Sequence, residues 1–114
     1  ARLVKAEAQR IARQRNIGVE VLTIREEDPV PLDRRILRLT KQICDAKSIV
    51  YEIMPSGAGH DAMQMAKITP AGMIFIPSQR GISHNPLEWT DPDDIGLGTQ
   101  LLMETMIRVA NDKL

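Results

Sequence analysis

Residues 71–76 read AGMIFI, an apolar run without polar residues at alternate positions. Such a run is typical of a strand that is covered on both faces, as in an α/β sheet. Residues 48–54, SIVYEIM, predict a second short strand, and residues 61–67 between the two can form about two turns of helix. The order strand, helix, strand therefore predicts neighbouring strands of one α/β sheet.

Helices are predicted on both sides of this unit, and the first covers residues 32–46. Apolar side chains recur there at helical spacing. The predicted apolar face consists of Leu32, Ile36, Leu39 and Ile43. Cys44 lies beside that face, so we expect its thiol to be buried and unreactive.

A long C-terminal helix is predicted to begin near residue 90. Thr90 or Asp91 can cap it, and Pro92 suits its first turn. Gly96 and Gly98 each lower its helix propensity by roughly 1 kcal/mol relative to alanine. Because glycine has no side chain, these two positions would allow close packing on a neighbour. The predicted buried face consists of Leu101, Leu102, Thr105, Met106 and Val109.

The N-terminal residues are predicted to form a separate unit. Residues 2–16 have the apolar spacing of a helix, and residues 17–24 are rich in the β-branched residues of a strand. The sequence REEDPVP at residues 25–31 interrupts both patterns, because two prolines and three consecutive acids fit neither a helix nor a central strand. We therefore predict a domain boundary there. The helix and strand before it need a partner sheet to cover their apolar side chains.

The composition excludes several classes of protein. Fifteen basic and fifteen acidic side chains among 114 residues give a formal net charge of zero, so nucleic acid and anionic membranes are not expected partners. No apolar run approaches the ~20 residues that cross a bilayer. The single cysteine excludes a disulfide within the chain and favours a reducing, cytoplasmic location.

The two histidines follow the two strands predicted at residues 48–54 and 71–76. His60 lies in the motif SGAGHD, and His84 lies in the motif GISHNP. Ligands of open α/β sheets bind beyond the carboxyl ends of the strands, so we expect both histidines to face one crevice. The alternative for each is a histidine on the surface or in a loop hydrogen bond.

The SGAGHD motif permits more than one interpretation. Its small residues let a ligand approach the backbone, and the following helix start offers N–H groups to an anion. A tight turn explains Gly57 and Gly59 equally well. A catalytic triad of Ser56, His60 and Asp61 is not expected, because neighbours in sequence rarely converge in this way.

A histidine that binds a metal ion needs a group that orients its ring. Near His84, the residues Ser83, Asn85 and Glu88 could each do this, and the sequence does not choose among them. One cysteine and two histidines cannot complete a four-ligand zinc site on their own.

Three stretches together carry a resemblance to a known family. They are SGAGHDAMQMA at residues 56–66, GMIFIPSQRGISHNPLEWT at 72–90 and DPDDIGLG at 91–98. The chain resembles the metal-dependent amidohydrolases of N-carbamoyl-L-amino acids, β-ureidopropionate and allantoate, which are relatives of aminoacylases and dizinc carboxypeptidases. The resemblance covers nearly the whole chain.

The resemblance implies a dizinc-peptidase-like α/β catalytic domain with a smaller lid or dimerisation domain inserted into it. Residues 1–27 correspond to the last helix and strand of the lid. Residues 28–114 correspond to the C-terminal part of the catalytic domain. Homodimerisation through the lid is a further implication.

The resemblance also implies a site that hydrolyses C–N bonds of linear amides in a small-molecule substrate, with water activated by two divalent metal ions, zinc, manganese or cobalt. His84 corresponds to a metal ligand. Gly59 corresponds to a backbone donor to the anionic end of the substrate, and His60 to the catalytic residue that contacts the substrate or the developing tetrahedral centre. Asp61 and Glu88 are expected to orient these groups without touching the metal.

The other metal ligands, the general base and the substrate-binding arginine of this family lie upstream of the matched segment. We therefore expect the 114 residues alone to be an inactive, C-terminal part of a larger enzyme. The alternative is a non-catalytic binding or assembly module that keeps the fold. Neither the substrate, among the three named, nor the metal is specified by the sequence.

Overall fold

The computed structural model describes residues 2–24 and 26–111, and these contain four α-helices. Ala1, Arg25 and residues 112–114, which belong to the predicted units 1–27 and 28–114, lie outside the described residues. The helices are α1 at Arg2–Arg15, α2 at Arg34–Ala46, α3 at Asp61–Met65 and α4 at Pro92–Asn111, with a 3₁₀ turn at Gln79–Gly81.

The core lies between α2 and α4, which pack against each other. Ile43 and Cys44 of α2 and Leu101 of α4 are buried together. Ile49 and Ile74 pack against this cluster. Because these two residues come from the two segments predicted as strands, both segments lie against the same core.

Capping explains where α2 and α4 begin. The carboxylate of Asp33 accepts hydrogen bonds from two backbone N–H groups in the first turn of α2. Oδ1 of Asp91 accepts from the Asp93 N–H at 2.9 Å in α4. Helix α2 therefore begins at Arg34 and not at the predicted residue 32, because a start at residue 32 would place Pro31, which has no side-chain acceptor, at the N-cap.

The face of α4 that reaches the core is narrower than predicted. Leu101 and Thr105 are buried and Val109 is half-buried, whereas Leu102 and Met106 are exposed. The buried residues recur every fourth position and so share one side of the helix. Each exposed residue is one position further along, which rotates its side chain by about 100° away from α2.

Two glycines let the segment that contains residues 71–76 approach the helices closely. A Cβ atom at Gly98 in α4 would overlap with Cγ2 of Ile76, and one at Gly72 would overlap with Cγ2 of Ile36. Gly98 therefore has the packing role predicted for it. Gly96 does not, because a Cβ there would meet no atom within 4 Å.

The predicted strands are not formed within residues 2–24 and 26–111. Residues 17–24, 48–54 and 71–76 contain no sheet ladder, and no backbone hydrogen bond within the described ranges joins the last two segments. A strand needs hydrogen-bond partners on another segment. The side chains of Ile24 and Val50 are 98% and 97% exposed, so no other part of the described chain packs over these two residues. The α/β class is therefore not confirmed by this structure.

The molecule is elongated, with a radius of gyration of 19.7 Å. A compact domain of this length would have about 13 Å. Helix α1 contributes to the elongation because it contacts none of the other described helices. Its one buried residue, Ala12, accepts a hydrogen bond from the Ile17 N–H at 3.0 Å. Helix α1 and the residues just after it thus form a small unit of their own.

Candidate functional site

His84 lies in a loop that is closed by its own hydrogen bonds. Its φ of 57° is in the left-handed region, which few residues other than glycine adopt. The Oε2 atom of Glu88 accepts a hydrogen bond from the His84 N–H at 2.8 Å. Within the same loop, the Glu88 N–H donates to the Asn85 carbonyl at 2.9 Å, and the Leu87 N–H donates to Oδ1 of Asn85 at 2.9 Å. These bonds fix the backbone of residues 84–88.

The ring of His84 has one engaged and one open nitrogen. Nδ1 lies 3.1 Å from Oγ of Ser83, and Nε2 has no hydrogen-bond partner in the described part of the chain. When Nδ1–H donates to the hydroxyl, the lone pair remains on Nε2, which is the form of histidine that binds a metal ion. Among the three candidates for orienting His84, Ser83 contacts the ring, whereas Glu88 and Asn85 shape the backbone.

His60 is half-buried and is fixed on two sides. Its Nε2 atom lies 2.8 Å from Oγ of Ser56. Its ring meets the ring of Phe75 nearly edge-on, with centroids 5.5 Å apart and an angle of 65° between the planes. Asp61 is the first residue of α3, and no hydrogen bond between described residues joins it to the His60 ring. The three residues Ser56, His60 and Asp61 therefore do not form a hydrogen-bonded triad.

Phe75 contacts His60 in one histidine loop and lies two residues before the start of the other. The loop that contains His60 contacts the apolar segment at Phe75, close to its C-terminal end. The loop that contains His84 begins directly after this segment, at Pro77. Phe75 lies within the stretch at residues 72–90 that carries the resemblance, but the sequence assigns it no role; it is the only phenylalanine in the sequence and lies near the end of the apolar run.

The loop that contains His84 is closed at its base. The Gln79 N–H donates to the Trp89 carbonyl at 2.7 Å, and the hydroxyl of Ser78 donates to the Ile82 carbonyl. No sequence motif predicts either bond. The Gln79–Trp89 bond joins the two ends of the loop, and the Ser78–Ile82 bond closes a turn at its start. His84 lies in the exposed outer part of the loop.

Gly59 and Gly57 lie in open space. A Cβ atom at either would meet no atom within 4 Å, and neither has the positive φ that favours glycine. The tight-turn explanation stays open, because the chain bends at Gly57 and Ala58 and a type I turn needs no positive φ. Helix α3 has only five residues, so its N-terminus gives little reason to expect an anion there.

The described residues do not form a complete metal site. They contain no group of three or more histidine, cysteine, aspartate or glutamate side chains that could hold an ion together. His84 fits the role of one ligand through Nε2. Neither His60 nor His84 lines the surface cleft beside Asp33 or the one beside Ala12. No helix in the described ranges has the length and apolar character that would let it cross a membrane.

Comparison with known proteins identifies the family. A family model described as peptidase family M20/M25/M40 matches residues 5–108. The chain is 42% identical over 108 residues to an uncharacterized hydrolase of Haemophilus influenzae and 37% identical over 103 residues to an allantoate amidohydrolase of Escherichia coli. It is 34% identical over 107 residues to an N-carbamoyl-L-amino acid amidohydrolase of Geobacillus stearothermophilus.

These matches cover most of the chain but only part of the relatives. They include 95%, 90% and 94% of this chain and 26%, 25% and 26% of the three relatives, respectively. The chain thus spans about a quarter of the length of these relatives. The resemblance carried by the SGAGHD and GISHNP motifs is confirmed. The chain belongs to the peptidase family M20/M25/M40.

Proposed function

We propose that this chain is part of a metal-dependent hydrolase that cleaves C–N bonds of linear amides, with an N-carbamoyl-L-amino acid or allantoate as substrate. The family match over residues 5–108 supports the hydrolase class. The names of the Escherichia coli and Geobacillus relatives support the substrate class. The structural observation behind the proposal is the His84 ring, which has Nδ1 beside the Ser83 hydroxyl and Nε2 open.

In this proposal His84 provides Nε2 as a ligand to one of two divalent metal ions, zinc, manganese or cobalt. The chemistry that bound ions supply is activation of a water molecule for attack on the carbamoyl carbon. Ser83 keeps the His84 ring in the correct tautomer by accepting the Nδ1 hydrogen. Glu88 keeps the His84 backbone in place. The other ligands come from residues outside the described set.

The SGAGHD loop contacts the substrate in this proposal. Gly59 offers its backbone N–H to the anionic end of the substrate, and the open space around it leaves that backbone accessible. His60 is the catalytic residue of this chain and contacts the substrate beside the reacting carbon. Asp61, as the first residue of α3, anchors the end of the loop.

We propose the domain organisation on related grounds. Residues 1–27 are the end of a lid or dimerisation domain, and residues 28–114 are the C-terminal part of an α/β catalytic domain. The separation of α1 from the other described helices supports the boundary. The unpaired segments 48–54 and 71–76 support a sheet that is completed by segments outside this chain. We further propose that the full-length protein is a cytoplasmic homodimer and that it acts on a small-molecule substrate.

The test is an assay of the full-length protein loaded with manganese or zinc. Ammonia release is measured from allantoate and from several N-carbamoyl-L-amino acids. We expect release from at least one of them, and a loss of about 100-fold or more in the His84→Ala variant. The Thr99→Ala variant, which removes an exposed hydroxyl from α4, is the control and should retain full activity.

The second candidate function is a non-catalytic binding or assembly module. A folded full-length protein that binds no metal ion in calorimetry and releases no ammonia from any of these substrates would establish this alternative. Binding of two ions per full-length chain would exclude it.

A further inference from the structure

We propose that Ser56 is a positioning residue that fixes the ring orientation and the tautomer of His60. Its hydroxyl would hold the proton of neutral His60 on Nε2, so that Nδ1 accepts a hydrogen bond from an N–H group of a carbamoyl or ureido substrate. The inference rests on the proposed function, since it identifies the atom of His60 that meets the substrate.

The Ser56 hydroxyl makes three close polar contacts. Oγ of Ser56 lies 3.1 Å from the Ala58 carbonyl oxygen, 3.2 Å from the Ala58 nitrogen and 2.8 Å from Nε2 of His60. A serine hydroxyl has one hydrogen to donate and two lone pairs that accept. The Ala58 N–H can only donate, and the Ala58 carbonyl can only accept.

The donor and acceptor roles around Ser56 determine where the protons lie. If Ser56 donates to the Ala58 carbonyl, its two lone pairs accept from the Ala58 N–H and from Nε2–H of His60. All three contacts are then hydrogen bonds. If Ser56 instead donates to Nε2, its contact with the Ala58 carbonyl has no hydrogen. Because hydrogen positions are inferred from the whole network, the first arrangement is favoured.

The other side of the His60 ring contacts Phe75. Phe75 meets the imidazole nearly edge-on, at a centroid distance of 5.5 Å, which restricts rotation of the ring about its bond to Cβ. Nδ1 has no hydrogen-bond partner in the described ranges. In neutral His60 with Nε2–H bonded to Ser56, Nδ1 carries the lone pair. That atom can accept a hydrogen bond but cannot donate one to a developing oxyanion.

The first experiment uses the full-length protein with ¹⁵N-labelled histidine, studied by NMR without substrate. The His60 resonances are assigned by their loss in His60→Gln. We expect Nε2 to resonate as a protonated nitrogen and Nδ1 as an unprotonated one, and we expect Ser56→Ala to mix the two tautomers. A proton on Nδ1 in the wild type, or identical ring resonances in Ser56→Ala, would overturn the inference. This readout does not depend on activity.

The second experiment measures kcat and KM for the substrate that the wild-type enzyme hydrolyses best. We expect Ser56→Ala to reduce kcat/KM about tenfold, in line with one lost hydrogen bond. Ser56→Thr keeps the hydroxyl and should restore most of the activity, and Thr99→Ala should behave as wild type. Full activity of Ser56→Ala would contradict the inference, and so would equal losses in Ser56→Ala and Ser56→Thr. If the wild type hydrolyses no carbamoyl or ureido substrate, the proposed function fails, and the NMR result alone decides on the tautomer.

Discussion

Glu88 restrains the backbone of His84 through a hydrogen bond of 2.8 Å from the His84 N–H to Oε2 of Glu88. The bond spans a turn in which His84 has a φ of 57°, a conformation that costs free energy for a residue with a side chain. Hydrogen bonds to charged groups are stronger than those between neutral groups. Glu88 thus opposes the tendency of His84 to relax, and it does so without contacting the imidazole.

Removal of the Glu88 carboxylate should weaken metal binding by the full-length protein. In Glu88→Ala the His84 N–H loses its acceptor, and we expect metal affinity to fall about tenfold or more, as for other groups that orient a ligand. Glu88→Gln keeps an acceptor oxygen and should lose less. Calorimetric titration with zinc or manganese measures the effect, and Glu7→Ala, on the exposed face of α1, is the control. An unchanged affinity in Glu88→Ala would show that Glu88 does not position His84.

The cap of α2 should make stability depend on pH in the acid range. The side chain of Arg35, followed by the backbone N–H groups of Arg35 and Ile36, lowers the pKa of Asp33 from its usual 3.8 to about 2. Because the folded pKa is below the unfolded one, the stabilisation is fully present above about pH 4 and is lost as the pH falls toward 2.

The test compares thermal unfolding of wild type and Asp33→Asn at a series of pH values. Asparagine keeps a capping oxygen but has no carboxylate to titrate. The difference in Tm between the two proteins should therefore shrink between about pH 4 and pH 2. The control is Thr99→Ala, which changes no titratable group and should show no such trend. A constant difference across this range would mean that the charge of Asp33 adds nothing to the cap.

The helices could be predicted from the sequence because their signals are local. The apolar spacing within residues 32–46 and the cap at Asp91 depend on residues within a few positions, and both predict the observed elements closely. Strands differ, because their hydrogen bonds come from distant segments. Residues 48–54 and 71–76 have the composition of strands, but neither pairs with a neighbouring strand in the described part of the chain. Composition alone could not show this.

The sequence provides candidate site residues, but it does not predict the contacts that they make. Motifs identify His60 and His84, yet the contact of His60 with Phe75 joins residues fifteen positions apart and depends on the fold. The left-handed backbone at His84 has no sequence signal of the kind that glycine provides. Loop contacts of this kind follow from side-chain geometry, which residue types alone do not determine.

Cys44 should be unreactive in the native protein. Its side chain is 2% exposed in the core between α2 and α4, and burial raises the pKa of its thiol. Reaction with a thiol reagent needs the thiolate and access to solvent, and both are lacking. We expect no labelling of the Cys44 peptide by iodoacetamide in mass spectrometry of the folded protein, and full labelling in denaturant. Rapid labelling under native conditions would mean that the core opens readily.

A methyl group at Gly59 should impair substrate binding and leave stability unchanged. A Cβ at Gly59 meets no atom of this chain, so Gly59→Ala should not alter Tm of the full-length protein. If the substrate lies against this backbone, the methyl group displaces it, and we expect KM to rise about tenfold or more. Gly57→Ala, at an equally open position in the same loop, is the control and should bind substrate normally. An equal rise of KM in Gly59→Ala and Gly57→Ala would show that Gly59 has no special role in substrate binding.

The two glycines of α4 should respond to alanine in opposite directions. Alanine has the higher helix propensity, so Gly96→Ala, where the new methyl group meets open space, should stabilise the protein by about 0.5–1 kcal/mol. At Gly98 the same change forces a methyl group against Ile76, and overpacking of this kind costs about 1–3 kcal/mol. The free energies of unfolding from urea denaturation of the full-length protein provide the measurement.

The double variant Gly98→Ala/Ile76→Ala removes the overlapping Cγ2 atom, so the two substitutions together should cost less than the sum of their separate effects. Additive costs would show that Gly98 is not the contact point between α4 and the segment that precedes the His84 loop.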